Sequence, residues 1–96
     1  MSKIVLVTGT STGLGASICV QAASNGHKVY ATMRDPSKRV GVQQGARALG
    51  VSVEILALDV QDTASVNAAV ATIIEREGRI DVLVNNAGTG FARSTE

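Results

Sequence analysis

Apolar residues come in short blocks whose spacing changes along the chain. Residues 3–8, Lys-Ile-Val-Leu-Val-Thr, form a nearly continuous apolar and β-branched run ending at Gly9, the pattern of a strand buried on both faces of a parallel sheet. Over 13–25, Leu14, Ile18, Cys19 and Ala22 follow helical spacing, and Asn25-Gly26 supplies a helix stop. Residues 27–33, with Val29, Tyr30 and Ala31 at their centre, predict a second strand closed by Asp35-Pro36. Residues 37–49 predict a weak helix with Val40, Ala46 and Leu49 inward, because Gly41 and Gly45 each cost about 1 kcal/mol against Ala. Residues 51–58 predict a third strand. Asp62 is a good N-cap for a helix that turns Val66, Val70, Ile73 and either Glu77 or Ile74 inward and closes at Gly78. Residues 79–84 predict a fourth strand.

Four strands thus alternate with three helices, which predicts an α/β fold: the N-terminal half of a Rossmann-type doubly wound parallel sheet, strand order 3-2-1-4, over residues 1–96. In such a sheet a ligand sits outside the C-terminal ends of the strands. The loops at Gly9, Arg34, Asp59 and Asn85 each follow such an end. They can converge on one ligand.

Composition removes several classes. The 96 residues carry 9 Lys and Arg against 8 Asp and Glu, one Cys and one His. A net charge of +1 without like-charge blocks gives no electrostatic reason to expect a nucleic acid or membrane partner. The apolar runs fall far short of the roughly 20 residues that span a bilayer, so the expectation is a cytoplasmic protein. One Cys and one His exclude an internal disulfide and a zinc site of soft ligands, and no metal is expected.

The turn Gly9-Thr10-Ser11-Thr12-Gly13-Leu14-Gly15 carries the candidate chemistry. Gly9 permits a tight exit from the strand, Gly13 admits a phosphate to the backbone, and Gly15 lets the helix pack closely on the sheet. The helix N-terminus then stabilises a pyrophosphate without Lys or Arg. An ordinary tight turn is the bland alternative. A P-loop is excluded because the turn has no Lys. The second strand ends 18 to 20 residues after Gly15, at Met33-Arg34-Asp35, where such folds read the adenosine ribose. Arg34 favours a 2′-phosphate, with Thr10, Ser11 or Thr12 as possible hydroxyl donors, whereas Asp35 turned inward would favour a free 2′-hydroxyl. A solvated Arg34 beside Asp35 is the alternative. Asp59 could accept from an adenine amino group, with the Val60 backbone completing the recognition, or could simply serve its turn. Asn85-Asn86-Ala87-Gly88 lets backbone approach a ligand, and Asn86 reads as structural rather than catalytic. Cys19 reads as a small core residue.

Together, Thr8 to Gly15 (TGTSTGLG), Asp59-Val60 and Asn85 to Gly88 (NNAG) closely resemble the short-chain dehydrogenase/reductase family, and Val29 to Asp35 (VYATMRD) resembles its NADP-preferring branch acting on steroids, retinol and related alcohols. The resemblance covers nearly the whole chain. It implies cofactor contacts from Gly9, Thr10, Ser11, Gly13, Leu14, Gly15, Arg34, Asp59, Val60, Asn86, Ala87 and Gly88, with NADP(H) favoured over NAD(H). It further implies a small alcohol or carbonyl substrate and a homo-oligomeric full-length form. The family's catalytic Ser, Tyr-x-x-x-Lys pair and further Asn lie beyond its NNAG segment, and Tyr30 with Arg34 four residues later is not that pair.

The expectation is therefore the cofactor-binding N-terminal portion of an oxidoreductase interconverting an alcohol and a carbonyl, inactive by itself. Its fourth strand would present an apolar edge that makes the isolated chain unstable or oligomeric. A non-catalytic dinucleotide-binding or sensing module is the alternative, separated from the first by whether a longer chain turns over substrate. An S-adenosylmethionine methyltransferase is disfavoured: it wants an acid at Met33-Arg34 and has no use for NNAG.

Overall fold

A computed structural model describes residues 2–11 and 13–86. Strand β1 (Ile4–Val7) leads through the glycine turn into helix α1 (Gly13–Ser24). Strand β2 (Lys28–Met33), a single 3-10 turn (Pro36–Lys38) and helix α2 (Val40–Leu49) follow. Strand β3 (Glu54–Ala57), helix α3 (Thr63–Glu77) and strand β4 (Val82–Val84) complete the order. The strands pair as β3-β2-β1-β4. Every pair is parallel, with Leu6 opposite both Tyr30 and Leu83, and Tyr30 opposite Glu54. The expected half of a doubly wound sheet is therefore present.

Side-chain alternation along the strands explains the layering. Val5 and Val7 of β1, with Val29, Ala31 and Met33 of β2, pack on Cys19 and Ala23 of α1 and Val42 of α2. The intervening Ile4, Leu6 and Tyr30 point the other way, onto Ala69 and Ile73 of α3. Each fully buried aliphatic side chain contributes about 1.5–3 kcal/mol, against about 0–1 for an exposed ion pair. The two apolar clusters, rather than ion pairs, hold the layers together.

Several sequence expectations shift in detail. Leu14 is 67% exposed and Ile18 and Ala22 are only partly buried, whereas Cys19 is buried as expected together with Gly15, Val20 and Ala23. In α2, Val40 and Leu49 face out while Val42 and Ala46 are buried. The separate turn at Pro36–Lys38 ends the expected continuous helix, so the second helix starts at Val40 with a different face inward. The first, third and fourth strands are each shorter than their apolar runs, and the second begins at Lys28. Ile74 is 43% exposed, whereas Glu77 turns inward enough to accept the Tyr30 hydroxyl at 2.5 Å. Lys28 Nζ lies 3.4 Å from the same carboxylate. The Asp62 cap forms as expected, accepting from Ala64 N–H at 3.0 Å. Among the described residues β4 pairs only with β1, and its Leu83 is 57% exposed.

Candidate functional site

Because all strand pairs are parallel, the C-terminal ends of β1, β2, β3 and β4 share one rim. The chain leaves β1 through Thr8 and turns at Gly9, whose φ of +68° is a conformation that a side chain would strain. Neutral hydrogen bonds tie the neighbouring loops to this turn. Thr8 N–H donates to Val84 O at 3.0 Å, and the Thr8 hydroxyl accepts from Asn86 N–H at 3.0 Å while donating to Asn85 Oδ1 at 3.1 Å. Asn86 Nδ2 donates to Gly9 O at 3.1 Å. Asn86 is therefore a clamp between the ends of β4 and β1, in keeping with its structural reading.

On the other side of the turn, Thr10 N–H and hydroxyl both donate to Thr32 O, at 3.1 and 3.0 Å. Thr32 in turn donates its hydroxyl to Val7 O at 2.8 Å. The Thr10 hydroxyl is thus committed inward, with the residue 1% exposed, and is not available as a donor to a ligand. Of the three hydroxyl donors expected for a 2′-phosphate, Ser11 remains exposed and Thr12 lies outside the described residues. Thr8 and Thr32 were not among the expected site residues, although they fix the rim. Their only sequence signal is a threonine within or beside an otherwise apolar strand.

Two glycines act in opposite ways. A Cβ on Gly15 would collide with Gly9 O and would meet Asn86 Nδ2 at 2.8 Å and Thr10 Cα at 2.9 Å. Close packing of α1 under the turn therefore needs glycine there. A Cβ on Gly13 would meet nothing within 4 Å. Open space thus stands over the first residue of α1, where unpaired N–H groups and the positive helix end face outward. Leu14 is exposed beside it, and a groove of about 440 Å³ runs from Ser11 and Gly13 past Ser17 and Gln21 to Gly45 between α1 and α2.

The remaining rim residues are positioned by their own turns. Arg34 follows the end of β2 with an exposed side chain. The Asp35 carboxylate caps the 3-10 turn, its Oδ1 accepting from Ser37 N–H at 3.0 Å and from the Ser37 hydroxyl at 2.7 Å. The Ser37 hydroxyl, chiefly, holds the Asp35 carboxyl below the usual carboxylate range. Asp59 Oδ1 accepts from Gln61 N–H at 3.0 Å, and Asp59 N–H donates to Ser65 Oγ at 2.8 Å. Val60 beside it is 42% exposed. Ala87 and Gly88 lie outside the described residues. Burial pushes the Cys19 thiol up to about 12, which makes it a core residue and not a nucleophile.

A glycine turn feeding a helix, with three further strand-end loops on the same rim, defines a Rossmann-type dinucleotide-binding unit. The model for the short chain dehydrogenase family matches residues 3–96, and the chain belongs to that family. It is 48% identical to estradiol 17-beta-dehydrogenase 1 of Rattus norvegicus, over 94% of this chain and 27% of that protein. It is 39% identical to the 3-ketodihydrosphingosine reductase of Bacteroides thetaiotaomicron, over 98% of this chain and 31% of that protein. The crystal structure of a metagenomic short-chain oxidoreductase in complex with NADP matches with a TM-score of 0.84 at 37% identity, over 94% of this chain and 41% of that one. The chain therefore spans 27% and 31% of the two curated relatives. The fold is one that binds NAD(P). No helix of the described residues is long and apolar enough to cross a membrane.

Proposed function

We propose that this chain is the cofactor-binding portion of an NADP(H)-dependent oxidoreductase that interconverts a small alcohol and the corresponding ketone or aldehyde. The observation that carries the reading is the open space at Gly13, where a side-chain Cβ would meet nothing within 4 Å, at the positive end of α1. The pyrophosphate would lie there, approached by the backbone of Gly9, Ser11 and Leu14. Asp59 and Val60 would receive the adenine, and Arg34 with Ser11 would bind the 2′-phosphate of the ribose. Asn86 would hold the loop at the end of β4 back against Gly9, and Ala87 and Gly88, outside the described residues, belong to the cofactor contacts that the family resemblance implies. When bound, the nicotinamide supplies the hydride chemistry. The residues named here bind and orient it. The relatives named estradiol 17-beta-dehydrogenase 1 and 3-ketodihydrosphingosine reductase support an alcohol or carbonyl substrate class. A homo-oligomeric full-length protein belongs to the same reading.

Titration of the chain with NADPH and with NADH, read by the nucleotide's own fluorescence, tests it. NADPH should bind the more tightly, and Arg34→Ala should cost NADPH about tenfold while leaving NADH little changed. Absence of binding by either nucleotide, or equal affinity for both, would overturn the reading.

A further inference from the structure

The end of β2 presents two opposite charges in succession, Arg34 and Asp35, at the place where a dinucleotide's ribose is read. Their effects on the cofactor are opposed. A guanidinium attracts a 2′-phosphate, whereas a carboxylate accepts from a free 2′-hydroxyl and repels the phosphate. Sequence order alone does not decide between them; the direction of each side chain does. Arg34 is exposed and makes no ion pair or hydrogen bond with the described residues. Asp35 is bound to its own turn.

The binding of Asp35 has a specific cause. Its backbone is extended, at φ −122° and ψ 102°, and Pro36 follows at the first position of the 3-10 turn. Pro36 has no N–H to offer, so the first donors that the carboxylate meets are the N–H and hydroxyl of Ser37. Both converge on Oδ1, at 3.0 and 2.7 Å. An alanine at 37 would leave only the longer, backbone bond.

We infer that Ser37 is a cofactor-specificity residue acting through Asp35: it pins the carboxylate into the 3-10 turn and so withdraws the negative charge that would otherwise compete with Arg34 for the ribose. Ser37 touches no cofactor in this account and is a positioning residue. The inference rests on the NADP(H) reading above and adds the device that makes an Arg-Asp pair compatible with it.

The test measures NADPH and NADH dissociation constants for the whole chain and for Ser37→Ala, Asp35→Asn and the double variant, with circular dichroism and melting to confirm folding. Ser37→Ala should lower the NADPH-to-NADH preference by about fivefold, the factor that one ordinary hydrogen bond commands. Asp35→Asn keeps a capping oxygen without the charge and should retain the preference. The double variant should regain it, because the freed side chain no longer carries a charge. Ser37→Thr, which keeps the hydroxyl, should match the parent, and Ser37→Gly replaces Ser37→Ala should the latter not fold. An unchanged preference in the folded hydroxyl-less variant overturns the inference. So does failure of the double variant to recover, since Ser37 would then act on the shape of the turn and not through charge. A parent chain without any NADPH preference overturns the underlying reading and this inference with it, and is distinguishable because it appears before any substitution is made.

Discussion

Replacing Gly15 with alanine separates packing from ligand binding. The added methyl group would collide with the carbonyl oxygen of Gly9 and press on Thr10 Cα at 2.9 Å and Asn86 Nδ2 at 2.8 Å. Two of the three obstacles are backbone, so α1 must move away from the turn or Gly9 must give up its conformation. Overpacking of this kind costs about 1–3 kcal/mol, and its upper part applies where backbone cannot yield. Displacing Asn86 from Gly9 O removes a hydrogen bond worth about 1 kcal/mol. Better helix propensity returns at most about 1 kcal/mol. The expected net loss is about 2–3 kcal/mol. For a domain of this size that lowers the melting temperature by at least about 8 °C. Gly13→Ala supplies the contrast, because its Cβ meets nothing within 4 Å. It should melt at or slightly above the parent's temperature, yet lose NADPH affinity by occupying the phosphate cradle. Denaturant unfolding of both variants, followed by circular dichroism and paired with nucleotide titration, measures the two effects. If Gly15→Ala unfolds within about 0.5 kcal/mol of the parent, the close approach of α1 to the turn is not what requires glycine there.

Three further outcomes follow from titratable groups. The Tyr30 hydroxyl, chiefly, and Lys28 hold the Glu77 carboxyl below its ordinary 4.5. A carboxyl depressed in the folded state stabilises above its unfolded value and loses that contribution as pH falls through the folded one. Stability of the parent against denaturant should therefore fall progressively below about pH 4.5, and Tyr30→Phe should show a shallower acid dependence; identical slopes would refute the coupling. At the basic end, Tyr30 is raised chiefly by burial and Lys28 chiefly by its bond to Glu77, so the stability that they lend is intact below about pH 10 and lost above it. Cys19, fully buried with its thiol raised to about 12, should resist alkylation at pH 8 in the native chain and react at once in denaturant. Rapid native labelling would show that the layer between α1 and the sheet opens readily.

Element order and sheet topology were legible because strands buried on both faces read as apolar and β-branched runs, as 4–7 and 29–33 do. The Asp62 cap and the glycine turn were legible because each depends on residues adjacent in sequence. The inward face of α2 was not. Val40, Val42, Ala46 and Leu49 permit more than one apolar stripe, and the choice depends on Gly45, where a Cβ would press Val20 Cγ2 at 3.0 Å. That contact exists only once α1 is in place. The Thr8 and Thr32 bonds were hidden for a related reason: Thr8 meets Asn85 and Asn86 across more than 75 positions, and threonine in a strand is read first as a β-branched filler. Glu77 remained ambiguous with Ile74 because its partner, Tyr30, lies 47 positions away.

The two rims of the sheet differ in the kind of polar contact they use, and the difference bears on ligand binding. Among the described residues, the ion pairs Lys28–Glu77, Arg76–Glu54 and Arg79–Asp81 gather at the N-terminal ends of β2, β3 and β4. Asp81 there also accepts from Ile4 N–H at 2.7 Å, fixing the start of β1. The C-terminal rim is joined instead by hydroxyls, amides and backbone groups, and its acids Asp35 and Asp59 accept N–H groups of their own turns. The bonds among Thr8, Thr10, Thr32, Asn85 and Asn86 join neutral partners, while Asp35 and Asp59 keep their charge but commit an oxygen each to their own turns, and neither forms an ion pair with Arg34 among the described residues. The α1 N-terminus and the Arg34 guanidinium therefore stay open to a ligand, whereas an ion pair at the same place would occupy them. Charge pairing confined to one end of the strands lets the other end be rigid and electrostatically unspent together, which is what a site for a polyanionic dinucleotide requires.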